Sequence, residues 1–237
     1  MKRAWWVAVV LSGCATVIPP QAREANDLCA QLITGGDLPN AEAACDHALE
    51  YQPKYGDALS NKALIAQTRG DTAAAKKLYI EALRVNNDQL QAHNALGVLS
   101  RDEGDLKAAI EHFKAALHVE PRFLPARRNL GAAHLAQKDW VEAEKDFRQF
   151  LLIEQSIVEG WLGLGLAFHN QKKFEEAEGA FEKATLLDVN DASAWHLRAA
   201  NAVQLGNIEL VKDCVERCLL ADPKKIECQQ LSAQISR

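Results

Sequence analysis

The residues in this 237-residue chain with the most chemistry to offer are its six cysteines and seven histidines. A thiol can bridge, ligate a metal or attack a carbonyl, and spacing decides among these. Cys214-x3-Cys218 followed by Cys228 supplies three thiols with no histidine beside them, and the histidines are scattered from His47 to His196 without ligand spacing, so no metal set is formed. The chain has no His-Glu-x-x-His, no Gly-x-Ser-x-Gly and no phosphate-binding glycine loop. The expectation is therefore a protein that is not an enzyme, with no metal, no small-molecule substrate and no cofactor beyond a covalent lipid. Disulfides, a lipidated cysteine and a binding surface remain, and each needs a scaffold to position it.

The scaffold begins with composition. Hydrophobic residues make up 48% of the chain and charged residues 25%, enough for a packed core. The net charge of -5 comes without a basic face, which argues against nucleic acid. Abundant Ala and Leu, with few β-branched residues, favour helices.

A 34-residue period organises these helices. From Leu90 to Phe123, Leu96 and Gly97 hold positions 7 and 8, Ala109 position 20, Phe113 position 24, Ala116 position 27 and Pro121 position 32. The same ruler gives six gapless copies, 22–55, 56–89, 90–123, 124–157, 158–191 and 192–225. Position 8 is always small: Cys29, Ala63, Gly97, Gly131, Gly165 and Ala199. Turns fall at Gly36-Asp37, Gly70-Asp71, Gly104-Asp105, Lys138-Asp139, Lys172-Lys173 and Gly206-Asn207. Each copy predicts two helices around a turn; in the copy from Leu90 the small residues at 8, 20 and 27 admit Phe113 at 24, whereas position 24 is Cys45 in the first copy and Val215 in the sixth, and position 27 is Phe150 in the fourth. One such hairpin cannot bury its apolar face alone, so copies stack. Residues 226–237 start a further helix, whose Cys228, Leu231 and Ile235 share one face and predict a cap.

This pattern resembles the tetratricopeptide repeat (TPR), and the resemblance implies an all-α, right-handed superhelical solenoid. In that fold the first helices line a concave face through positions 2, 5, 9 and 12. Here those positions offer Leu64, Asn94, Val98, Arg101, Arg128, Leu162, Leu166 and His196, an apolar strip with polar borders suited to an amphipathic helix or extended segment. The alternative is that tighter curvature buries them between repeats. The Asn at position 9 used by TPR domains that clamp chaperone tails is missing from every copy. His93 at position 4 and His134 at position 11 read as packed core residues.

Within the predicted hairpins, residues equally far from a turn lie at the same height. Cys29 and Cys45 flank Gly36-Asp37 at positions 8 and 24, and Cys218 and Cys228 flank Asp222-Pro223. These heights predict bridges Cys29 to Cys45 and Cys218 to Cys228, with Cys214 free; the alternative is that all are small buried residues at positions that demand them.

The N-terminus is of another kind. Met1 to Cys14, MKRAWWVAVVLSGC, has two cations, a short apolar run and Leu11-Ser12-Gly13-Cys14. Residues 1–13 are expected to be a secretory signal, and the last four residues are similar to the lipobox of bacterial lipoproteins, which implies cleavage before Cys14 and a lipid on its sulfur. The alternative is a cytosolic adaptor with an apolar extension. Residues 14–21 form the acylated tether, its seven residues after Cys14 spanning roughly 20–25 Å. Ala15, in place of Asp, points by analogy to the outer membrane, at its periplasmic face.

A lipobox, a short tether and six gapless repeats resemble the PilF/PilW/Tgl group of type IV pilus proteins. The resemblance implies a pilotin, a lipoprotein that helps outer-membrane secretin subunits assemble. The other reading is a periplasmic scaffold that recruits peptidoglycan or other envelope-assembly enzymes.

Overall fold

The computed structural model describes residues 17–235. Cys14, the signal segment and the first part of the tether lie outside the described residues, as do the last two residues of the cap. Thirteen α-helices and no strands occur among the described residues. Each repeat is a pair: α1 (Pro20–Thr34) with α2 (Leu38–Tyr51), α3 (Gly56–Thr68) with α4 (Thr72–Val85), α5 (Leu90–Asp102) with α6 (Leu106–Val119), α7 (Leu124–Gln137) with α8 (Trp140–Ile153), α9 (Val158–Asn170) with α10 (Phe174–Leu187), and α11 (Ala192–Gln204) with α12 (Ile208–Ala221). The capping segment contributes α13 (Ile226–Ile235). Helices α1–α4 belong to one compact unit, ending at Asn87, and α5–α13 to a second, beginning at Asp88.

Helix α1 starts two residues earlier than the repeat register. Pro20 occupies its first turn, where a missing N–H is harmless and the fixed φ suits a helix. Pro20 and Gln21, placed in the tether by sequence, are therefore helical.

Position 15 turns the chain in every repeat. Gly36, Gly70, Gly104, Lys138, Lys172 and Gly206 all have positive φ, between 62° and 85°, a conformation that glycine adopts freely and lysine only with strain. The next residue caps the second helix. Asp37, Asp71, Asp105, Asp139 and Asn207 accept from the backbone N–H three residues on, satisfying a donor the helix itself leaves unpaired. Lys173 cannot do this in the fifth repeat; Glu175 and Glu176 in the first turn of α10 offset the loss through the helix dipole.

Within each pair, position 8 meets position 24. A Cβ added to Gly97 would lie 2.4 Å from the Phe113 ring, and one on Gly165 2.6 Å from Phe181, so only glycine lets these helices approach so closely. The first repeat uses another solution. It has no aromatic residue at 24, and Cys29 and Cys45 are joined there by a disulfide with Cα atoms 5.3 Å apart. A second disulfide, Cys218–Cys228, ties α12 to α13. Both pairs are those selected by height from the turns. Cys214 is free and buried, and burial pushes its thiol up to about 12, so it stays protonated and unreactive.

A second periodic contact joins successive repeats in the unit from Asp88. The side chain at position 4 reaches back six residues to the backbone carbonyl at position 32 of the preceding repeat: Arg127 Nη2 to Pro121 O at 2.9 Å, Trp161 Nε1 to Gln155 O, Trp195 Nε1 to Val189 O and Gln229 Nε2 to Pro223 O, each at 2.8 Å. Three kinds of side chain thus satisfy the same loop carbonyl, which would otherwise depend on water. One of the apolar clusters of this unit lies in the fourth and fifth repeats, where Phe147, Phe150, Leu151, Leu164, Phe168 and Phe181 pack together.

Candidate functional site: the first-helix face

Helices α5, α7, α9 and α11 adjoin in series, so positions 5, 9 and 12 of the third to sixth repeats share one face. Seven of the eight predicted groove residues fall on it: Asn94, Val98, Arg101, Arg128, Leu162, Leu166 and His196. Leu64, 40% exposed, sits on α3 in the other unit.

The face is less openly apolar than its sequence suggests. Val98 is half-buried against the cluster of Phe113, Leu117 and Leu130. Leu162 and Leu166 pack, half-buried, against the phenylalanine cluster, with Leu135 from position 12 beside them. The strip is therefore a shared wall, one side holding neighbouring repeats together and the other facing outward. At position 12, His169 is likewise used internally: its Nδ1 donates to Asn201 Oδ1 at 2.9 Å, while Asn201 Nδ2 donates to the Phe174 carbonyl at 2.8 Å. Val203, 43% exposed, is fractionally more exposed than the leucines selected from the pattern.

The polar members are held in different ways. Asn94 accepts from Asn129 Nδ2 at 3.1 Å, and the first unit repeats the device with Asn26 accepting from Asn61 at 2.9 Å. Each bond joins position 5 of one repeat to position 6 of the next. The Arg101 guanidinium folds onto its neighbour Asp102 at 2.9 Å. Burial depresses the His196 pKa, reinforced by Lys225 and opposed by Glu227, so the imidazole is held neutral. Arg128 is exposed and lines, with Leu124, Pro125, Phe150 and Ile157, an open cavity of about 150 Å³. Phe150 and Ile157 escaped the sequence reading because they come from α8 and the loop after it; no rule about first helices would have selected them.

His134, His93 and His112 serve the fold. His134 Nδ1 lies 2.7 Å from Asp146 Oδ2, with both side chains buried, and Arg127 approaches the same carboxylate at 3.8 Å. This cluster links α7 to α8, and among the described residues no hydroxyl or thiol bonds to His134. His93 and His112 meet at 3.2 Å across α5 and α6. Among the described residues, no group of three His, Cys, Asp or Glu side chains is placed to hold a metal, and no helix is long and apolar enough to cross a membrane.

An all-α stack of two-helix repeats, with position 8 packed on position 24 and one face built from first helices, defines a TPR solenoid. Sequence models of the tetratricopeptide repeat match residues 60–125, 100–153 and 158–191; the chain belongs to the TPR proteins, whose scaffold typically binds proteins and does no catalysis. No curated protein matches it in sequence. Among solved structures it is similar in fold to PilF of Pseudomonas aeruginosa, with TM-score 0.77 and 19% identity over 90% of this chain and 99% of that one. It is also similar to PilW, described as a widely conserved type IV pilus biogenesis factor, with TM-score 0.74 and 21% identity over 90% and 99%. YrrB, a TPR protein with an unusual peptide-binding site, matches with TM-score 0.72 and 17% identity over 80% and 98%.

Proposed function

We propose that this protein is an outer-membrane lipoprotein that acts as a pilotin, binding a secretin segment on its first-helix face and promoting secretin assembly for type IV pilus biogenesis. The observation that carries this reading is the near-complete correspondence of fold and length with PilF and PilW, combined with Leu11-Ser12-Gly13-Cys14 at the head of the chain. The chemistry is consistent. Lipid on Cys14 supplies the membrane address, and the several acyl chains of a mature lipoprotein are needed because one chain binds only marginally. The repeats supply a surface that holds an assembly-prone segment without altering it covalently.

Two measurements test this. Palmitate labelling is expected in the native chain and lost in Cys14→Ala; labelling that persists would remove the anchor. Deleting the gene is expected to abolish heat-resistant secretin multimers, with restoration by the wild type and poor restoration by Cys14→Ala. Normal multimers in the deletion strain would sink the pilotin reading and favour an envelope scaffold with a different partner.

A further inference from the structure

We infer that Arg128 and the cavity beneath it form a recognition site for an acidic side chain adjoining an apolar one, within a partner segment that continues past the site in both directions. The inference rests on the first-helix face being a partner surface, but not on the partner being a secretin.

Size, charge and continuity carry it. At about 150 Å³, the cavity is well below the roughly 300 Å³ at which small-molecule pockets begin, and it suits one apolar side chain. Apart from Arg128, the residues that line it, Leu124, Pro125, Phe150 and Ile157, are apolar, so an apolar side chain complements them better than a polar one. Arg128 stands exposed at the rim, without a hydrogen-bond or ion-pair partner among the described residues. Its neighbour Arg127 donates to Pro121 and approaches Asp146, and Arg101 folds onto Asp102. Arg128 is thus the guanidinium of this face left to meet an incoming carboxylate, which it can engage with two parallel N–H donors.

Continuity decides between a carboxylate inside a segment and one at its C-terminus. Leu124 and Ile157 pack in the same cluster as Leu162 and Leu166 of the fifth repeat. On the other side, Asn129, the residue after Arg128, is buried but bonds to Asn94 of the third repeat, which is partly exposed on α5. Contact surface extends both ways from Arg128, so the bound chain passes over it and the carboxylate is that of an Asp or Glu side chain.

The test uses the full chain and acetylated, amidated peptides of about twelve residues in an Ala/Gln background, followed by fluorescence anisotropy. A central Leu-Glu pair is expected to bind about tenfold tighter than Leu-Gln, the effect of one charge-assisted hydrogen-bonded pair, and the difference is expected to shrink with salt. Arg128→Gln should erase the preference, and Arg128→Glu should turn it toward Leu-Lys. Both substitutions are at an exposed position, so unchanged unfolding curves separate recognition from stability. Equal affinity for Leu-Glu and Leu-Gln, a preference that survives Arg128→Gln, or binding of no peptide would overturn the site. Tighter binding of a peptide ending in Leu with a free carboxylate would overturn the internal-segment assignment. Secretin multimers do not enter this measurement, so loss of the pilotin reading leaves its outcome intact.

Discussion

Lys138 and Lys172 hold a backbone conformation that four glycines hold at the same position in the other repeats. A side chain there works against the local geometry by about 1 kcal/mol. Lys138→Gly is therefore expected to raise stability by about 1 kcal/mol, measured as a higher urea midpoint at unchanged slope; a lower midpoint would mean that the lysine side chain contributes a contact. Glu144 poses the opposite case. Desolvation by itself would raise its pKa, but hydrogen bonds from Lys173, Gln171 and Arg148, each at 2.9 Å, outweigh this and hold the carboxyl below its usual range. A depressed folded-state pKa contributes stability above the unfolded value, and that contribution is lost as pH falls through the folded value. Glu144→Gln should reduce stability at neutral pH and flatten the acid limb of the stability curve; an acid limb identical to the wild type would refute the assignment.

Among the helices, position 29 near the end of each second helix is exposed in all six repeats, as Glu50, Arg84, His118, Leu152, Leu186 and Leu220. The three leucines are 73%, 65% and 76% exposed, so they contribute little to the core. Replacing all three by Gln is expected to leave the unfolding midpoint within about 0.5 kcal/mol per site. A larger loss, measured by thermal unfolding, would show that this edge is covered in solution. How much could be foreseen differed between elements in the same way. Gly97 and Phe113 announced the pairing of α5 with α6 because one small and one large residue recur at fixed spacing. The helical turn at Pro20–Gln21 was missed because proline ends most helical patterns but is also tolerated in a first turn. On the candidate face, position numbers select Asn94, Arg128 and Leu166, whereas the cluster that half-buries Leu162 and Leu166 includes Phe147 and Phe150 from another helix. The cavity under Arg128 was hidden for the same reason, since Ile157 comes from a loop whose path the repeat pattern does not specify.

For the molecule as a whole, stability in a stacked fold is close to a sum of repeat terms and neighbour terms, so a repeat without the common small-aromatic pair needs another source. Cys29–Cys45 supplies it in the unit that ends at Asn87. The double substitution Cys29→Ala with Cys45→Ala is expected to destabilise that unit by about 3 kcal/mol, the loop-closure value for a bridge of this span. Reduction by dithiothreitol, which also opens Cys218–Cys228, should lower the unfolding midpoint at least as much. If neither treatment moves the midpoint, close packing of two small residues is sufficient and the bridge is incidental.

The contact from position 4 to position 32 bears on how such a chain can change. Its acceptor is a main-chain carbonyl, present whatever residue occupies position 32, and its donor has been an arginine, two tryptophans and a glutamine in four successive joints. Substitution can therefore remove only one half of the bond, and several side chains can restore it. A joint built in this way tolerates sequence drift, leaving the adjoining first-helix surface free to diversify without loosening the stack beneath it.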